Sequence, residues 1–403
     1  MLFTPAQHER LADRPFSEAA APEAIRRIAD RAERELDPAD GRWPLDPADV
    51  DREGDGSASA LYHGAAGIAW ALRELAAEGY AEPGVADRQL VEALESRILE
   101  EPDAQDYGDD GVWLGVAGVL AVAERRWPDA SRRDRLAELA RVSLTSPALE
   151  VMYGHPGHMA LAAQLHARTG EERWAASWSA GAERLLAEWR HDDELGAWLW
   201  TQKLGTHETR YVGPAHGLVG NVRVLLRGGE LLSAGLRDEV QSRAVESLKR
   251  LAVVEDGLAN WPPIAGGSLI ANDRIRVQWC HGAAGVVTSL WDTAPDDEGW
   301  SELLVAGARL VWEAGPIRDA PGLCHGTAGN AYALLAAWRR TGDEHWLARA
   351  RAFAQHAAEQ VEERAARLGH GRHSLFTGDE GVAMCLASCL RGDERMPALD
   401  RLL

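Results

Sequence analysis

Seven times along the chain a Gly-x-x-Gly pair opens a run rich in Ala, Leu and Val: at 64–67, 115–118, 154–157, 217–220, 282–285, 326–329 and 378–381. The copies recur at intervals of about 40 to 65 residues, the range of repeat architectures. Each run is apolar almost all round, so each predicts a helix on the inside of the molecule. Between them lie amphipathic stretches at 87–100, 131–144, 171–189, 237–252, 300–313 and 343–366, with charges on one side and Ala, Leu and Trp on the other. A further amphipathic helix is predicted at 16–36, with its partner surface coming from later in the chain, and 37–59 reads as loop. Inner apolar and outer amphipathic helices alternating seven times are what a closed ring of helical hairpins requires. The expected fold is therefore all-α, an α/α toroid with seven inner helices, built as one domain over residues 1–403. The first glycine of each pair is expected to take positive φ as the loop turns into the helix. The second is expected to remove a Cβ where the inner helices crowd toward the axis.

Because every copy sits at the start of an inner helix, the residues just before it gather at one end of the ring. His63, His216, Cys280, His281, Cys324 and His325 all stand there. Two copies read Cys-His-Gly-x-x-Gly, at Cys280 and Cys324. Two thiols and two imidazoles, at helix N-termini whose partial positive charge favours thiolate over thiol, form a plausible soft-metal site if the two runs meet. The cysteines stand 44 positions apart with no C-x-x-C, which is not zinc-finger spacing. His281 is open as a fourth ligand. His63 and His155 read as loop histidines, and Cys385 and Cys389, one turn apart, as core packing.

Composition removes several classes. Apolar residues at 46% and charged residues at 26% are ordinary for a globular chain. A formal net charge of −20 opposes nucleic-acid and anionic-membrane partners, which are met by Lys and Arg surfaces. The opening Met1-Leu2-Phe3-Thr4-Pro5 leads into charged sequence without the roughly 7–15-residue apolar core of a signal peptide, and no run of about 18 uncharged residues spans a membrane. Four cysteines make no disulfide framework, so a reducing cytoplasm is the expected setting.

Several stretches are more specific: Tyr211-Val212-Gly213-Pro214-Ala215-His216-Gly217, Asn260-Trp261-Pro262-Pro263, Trp279-Cys280-His281-Gly282, the run Gly322 to Tyr332, and Ser374-Leu375-Phe376. With the seven pairs, they resemble the LanC-like family, the lanthionine synthetase C proteins of peptide biosynthesis and their stand-alone eukaryotic relatives, and more the latter than the dedicated cyclases. The resemblance implies one zinc ion on Cys280, Cys324 and His325, a catalytic histidine at His216, and a functional arginine at Arg276. Glu150 stands where cyclases carry aspartate, and His281 where they carry tyrosine. Asp319 stands where stand-alone members have a glutathione-holding lysine, with Arg318 beside it.

On that resemblance, the expected activity is zinc-dependent addition of a thiol to dehydroalanine or dehydrobutyrine in a peptide or protein, forming a thioether. Three protein ligands leave zinc a vacancy for the substrate thiol. His216 is the expected proton donor and Arg276 the stabiliser of enolate charge, with Glu150 orienting one of them. The thiol is glutathione or another small thiol, or else a cysteine of the same peptide, as in a lanthionine cyclase. A zinc- and thiol-binding protein that makes no bond is the alternative outside catalysis.

Overall fold

The computed structural model describes residues 1–50, 57–82, 84–101, 103 and 110–403. Each Gly-x-x-Gly pair opens a helix: Ala65–Ala77 (α2), Val116–Arg126 (α4), His155–Thr169 (α6), Leu218–Leu226 (α8), Ala283–Leu290 (α10), Thr327–Thr341 (α12) and Asp379–Arg391 (α14). Every residue of α10 is buried, as are the first eleven of α12 and of α14. That burial follows from position, since an inner helix such as α10 has an inner neighbour on each flank, α8 and α12, and an outer helix behind. The amphipathic stretches become the outer helices Arg88–Glu100 (α3), Ala130–Ser143 (α5), Glu172–Glu188 (α7), Ala234–Leu251 (α9), Glu298–Ala314 (α11) and Glu344–Leu368 (α13). The fold is the expected α/α toroid.

What closes the ring is visible at the second glycine of each pair. A Cβ there would collide with the carbonyl oxygen six residues earlier in its own turn, and would also press on the matching residue of the preceding copy. Thus Gly118 faces Leu61, Gly157 faces Val112, Gly220 faces Val151, Gly285 faces Pro214, Gly329 faces Trp279 and Gly381 faces Leu323. The seventh copy then hands on to the first, for Gly67 faces Leu375. These glycines are needed because each turn folds under its own helix while wedged against the turn before it, not because helices crowd at the axis.

The first glycine departs from expectation more sharply. Six of the seven have negative φ, and only Gly282, at +93°, lies in the region that favours glycine. Space is the commoner reason: a Cβ on Gly64, Gly154, Gly217, Gly326 or Gly378 would run into earlier backbone of its own turn.

The first helix, Ala21–Glu35 (α1), starts five residues later than its apolar pattern, because Pro22 sits in the first turn, where its missing N–H costs nothing. Its buried face of Ala21, Ile25, Ile28, Ala29 and Ala32 packs on α14, the last inner helix. Of the stretch 37–59, residues 51–56 lie outside the described residues, and the remainder is turn with a short 3-10 segment at Pro47–Asp49. Four small hairpins were not anticipated. Arg190–Asp192 (β1) pairs with Ala197–Leu199 (β2) and Gln202–Leu204 (β3) with His207–Thr209 (β4), all between α7 and α8. Val253–Glu255 (β5) pairs with Leu258–Asn260 (β6) and Ile270–Ala271 (β7) with Arg274–Ile275 (β8), between α9 and α10. Both connections run from the end of an outer helix to the start of an inner one, which puts the hairpins at the end of the ring where the inner helices begin. Among the described residues no helix is long and apolar enough to cross a membrane.

Candidate metal centre and active site

The fifth, sixth and seventh turns are laced together by their backbones. Cys280 N donates to Cys324 O at 3.1 Å, and Cys324 N donates to Phe376 O at 2.8 Å. This lacing brings residues 44 apart in sequence side by side. One donor atom each from Cys280, Cys324 and His325 lies within 4.8 Å of the others. Both cysteines are buried, His325 is the most open of the three, and both thiols are free. Tetrahedral sulfur ligands about 2.3 Å from an ion stand roughly 3.8 Å apart, so the set suits a thiophilic divalent cation.

Electrostatics point the same way. The hydrogen bond from Cys324, helped by His325 and His281, pulls the Cys280 thiol well below its ordinary pKa, while burial opposes. Cys324 goes well above its own, because Cys280 and then burial resist a second negative charge. The pair thus resists ionising twice, and a cation between the two sulfurs is what would let both ionise. Gln278 Nε2 sits 2.9 Å from the Cys280 sulfur, an amide donor to the thiolate.

Beside this group stands a second one. His216 donates from Nδ1 to Glu150 Oε2 at 2.8 Å. Glu150 is wholly buried and also accepts from Met152 N at 3.0 Å and Tyr153 N at 2.6 Å, so its carboxylate is fixed in position. Burial lowers the His216 pKa, but Glu150 and the Cys280 thiolate outweigh it and the net shift is upward. The ring stacks on Tyr153 at 5.9 Å and leans on Tyr211 at 5.7 Å. Arg276 donates to Ala271 O on β7 at 3.3 Å. His281 stands outside the metal group, with its ring 6.4 Å from that of His216 and 6.1 Å from that of Tyr211. Burial lowers its pKa; the Cys280 charge opposes this, but His216 and Arg276 add to the lowering and the net shift is downward. His63 pairs with Tyr62 at 5.9 Å and is likewise outside the group, while His155 is the buried first residue of α6 rather than a loop residue.

Residues that sequence reasoning passed over share a register with those it singled out. Two positions before the first glycine of each pair stand Tyr62, Trp113, Met152, Ala215, Cys280, Cys324 and Phe376. One position before stand His63, Leu114, Tyr153, His216, His281, His325 and Thr377. Superposing the seven copies would therefore have put Tyr62, Tyr153 and Phe376 on the same rim as the cysteines and histidines. Tyr62 stacks on Phe376 at 5.1 Å, and its hydroxyl favours the ionised form of the Cys324 sulfur. Just after the second glycine, two asparagines brace the site from behind: Asn221 Nδ2 donates to Leu149 O and Asn330 Nδ2 to Val277 O, each at 2.9 Å, next to Glu150 and Arg276.

Comparison with known proteins gives a consistent picture. The model of the family described as lanthionine synthetase C-like protein matches residues 57–401. The chain is 32% identical over 196 residues to Glutathione S-transferase LANCL1 of Danio rerio, covering 46% of this chain and 44% of that protein. It is 33% identical over 187 residues to LanC-like protein GCL1 of Arabidopsis thaliana, covering 45% and 40%. It thus aligns with less than half the length of these curated relatives. Among solved structures it is similar to nisin cyclase, with a TM-score of 0.62 at 15% identity over 85% of this chain and 92% of that one, a likeness of fold.

Proposed function

The chain belongs to the lanthionine synthetase C-like family, and from that premise we propose that it is an enzyme that adds a thiol across the double bond of a dehydroalanine or dehydrobutyrine residue, with zinc held by Cys280, Cys324 and His325. The observation that carries the reading is the meeting of those three donors within 4.8 Å, beside a buried histidine–carboxylate pair. Bound there, zinc supplies a Lewis-acid position that keeps a substrate thiol ionised near neutral pH.

The residues of the chain account for the rest. When sulfur adds to the β-carbon, the π pair moves toward the neighbouring carbonyl and an enolate forms. His216 returns a proton to the α-carbon, completing net addition of S–H with no oxidant or reductant. Glu150, fixed by two backbone amides, holds His216 by Nδ1 and keeps its acid form populated, which leaves the other ring nitrogen as the donor. Arg276 supplies the positive charge that offsets the enolate. Four free thiols support a reducing compartment such as the cytoplasm.

The name of the Danio rerio relative, Glutathione S-transferase LANCL1, supports glutathione as the thiol. One observation favours a peptide cysteine instead: the Arg318 guanidinium is occupied by Ala6 O and His8 O, and Asp319 beside it is acidic, with Arg367 at 3.7 Å. Incubation with a peptide that carries both dehydroalanine and a cysteine, with and without glutathione, followed by mass spectrometry, separates the outcomes. An adduct gains the mass of the thiol. A ring leaves the mass unchanged but blocks later trapping by an added thiol. Neither result would leave zinc and thiol binding without catalysis.

A further inference from the structure

Four of the inner helices begin in the same way, with the first helical amide donating to the carbonyl seven residues earlier. The bonds are Ala65 N to Ala58 O at 2.9 Å, Leu218 N to Tyr211 O at 3.0 Å, Thr327 N to Ala320 O at 2.8 Å and Asp379 N to Arg372 O at 2.8 Å. In α10 the matching bond would join Ala283 N to Arg276 O. There the Asn260 side chain stands between the two groups: Oδ1 accepts from Ala283 N at 2.8 Å, and Nδ2 donates to Arg276 O at 3.2 Å. The same amide donates to Leu2 O and accepts from Trp261 N, each at 2.9 Å, so all four of its hydrogen-bonding positions are used in a side chain with no solvent exposure.

The turn wedged in this way differs from the others in two more respects. Gln278 and His281 exchange a reciprocal pair of backbone hydrogen bonds within it. Gly282, which follows, is the one first glycine with positive φ, and a Cβ on it would meet Asn260 Oδ1 and Arg276 O. This is also the turn that carries both a metal-ligand candidate, Cys280, and Arg276.

We propose that Asn260 is a positioning residue for the metal centre: its amide, inserted into the fifth turn, sets where Cys280 and Arg276 stand relative to Cys324 and His216. The inference rests on the zinc reading above. A direct bond between Ala283 and Arg276 would draw the two ends of the turn together and displace Cys280 between them. Asn260 therefore acts through the turn and not on substrate. Its link to Leu2 O also ties the segment before α1 to the same point.

Zinc affinity by chelator competition tests this without any assay of turnover. Asn260→Asp keeps the acceptor for Trp261 and Ala283 but turns a second oxygen on the carbonyls of Leu2 and Arg276; Asn260→Ser is too short to bridge. Both are expected to bind zinc at least tenfold more weakly than wild type. Leu136→Ala, a cavity in outer helix α5 chosen to lower the melting temperature comparably, is expected to keep wild-type affinity. Unchanged affinity in a folded Asn260 variant overturns the proposal, as does an equal loss in Leu136→Ala. If the aspartate variant does not fold, the serine variant gives the same reading. A wild-type chain that binds no zinc sinks the metal reading and this one together, whereas zinc held equally by wild type and variant sinks only this one.

Discussion

Two arcs of the same rim share a backbone design and differ in what it presents. In the first, second and seventh copies, the register two before the glycine holds Tyr62, Trp113 and Phe376, whose rings pack on one another: Trp113 meets Phe376 edge-on at 4.8 Å and Tyr62 stacks on it at 5.1 Å. In the fifth and sixth copies the same register holds Cys280 and Cys324, whose sulfurs face each other with His325. The difference teaches that the ring is indifferent to what stands at this position so long as the glycine wedge is intact. In the fifth and sixth copies, substitution at the two rim positions before the glycine supplies the candidate metal ligands, while Glu150 and Arg276 stand further back in their own turns.

The largest effect expected from breaking that comparison is loss of metal. Cys280→Ala and Cys324→Ala should each reduce bound zinc from about one per chain to none, read by metal analysis, and abolish thiol addition. Trp113→Ala, in the same register on the aromatic arc, should instead cost about 3–5 kcal/mol of stability by denaturant titration and keep its zinc. Equal zinc loss in all three would mean that the arcs are not separate in function.

Next comes the histidine that adjoins the metal arc. His216→Asn should slow addition by about 10²–10⁴-fold, the usual worth of a positioned acid or base, with zinc retained. Glu150→Gln removes the chief influence that raises the pKa of His216, so the alkaline limb of its pH–rate profile should move to lower pH. A limb that stays in place would detach the carboxylate from the proton donor.

Two copies, the seventh and the third, differ in how their buried histidines are held. His373, in the seventh copy, lies between Glu380 at 2.9 Å and Glu35 at 2.7 Å; burial opposes its charge, but the carboxylates win and the pKa rises from 6.5 to about 9. Its folded pKa is above its unfolded one, so its contribution is complete below pH 6.5 and is lost as pH climbs toward 9, by about 3 kcal/mol at most. His155, in the third copy, is the converse: burial first and Arg184 second depress it to about 3, so its contribution is present above pH 6.5 and fades as pH falls. Melting temperatures of wild type and His373→Gln between pH 6 and 9.5 check the first claim, and the variant should show a flatter alkaline decline.

The fold was legible because its signal repeats. One Gly-x-x-Gly says little, but seven in phase with apolar runs fix both the class and the end of the ring at which Cys280, Cys324 and His325 meet. The outer stretch 87–100 became Arg88–Glu100 because its apolar spacing and the Asp87 cap agree. The hairpins were hidden because strands of two or three residues carry no alternation to read. Asn260 was legible only as part of a motif, since a side chain that replaces a backbone bond 16 residues away leaves no local pattern. The conformations of the first glycines were misjudged because sequence does not distinguish a glycine needed for φ from one needed for room.

The smallest expected effect probes the seam between the arcs. Tyr62 belongs to the aromatic arc by its ring, stacked on Phe376, and to the metal arc by its hydroxyl, which favours the Cys324 thiolate as a donor. Burial and then the charges of Cys324 and Cys280 hold that phenol well above its ordinary pKa, so it is a neutral donor throughout the working range. Tyr62→Phe keeps the stack and removes only the donor. A hydrogen bond to sulfur contributes about 0.5–1.5 kcal/mol net, so zinc affinity should fall roughly two- to tenfold while the melting temperature of the zinc-free protein stays within a degree or two. A Cys324 thiolate without this donor is also more basic and should hold a residual proton more firmly, so the loss should be greater at pH 6 than at pH 8. If affinity is unchanged at both pH values, the hydroxyl contributes nothing to the metal arc, and Tyr62 counts with Trp113 as packing alone.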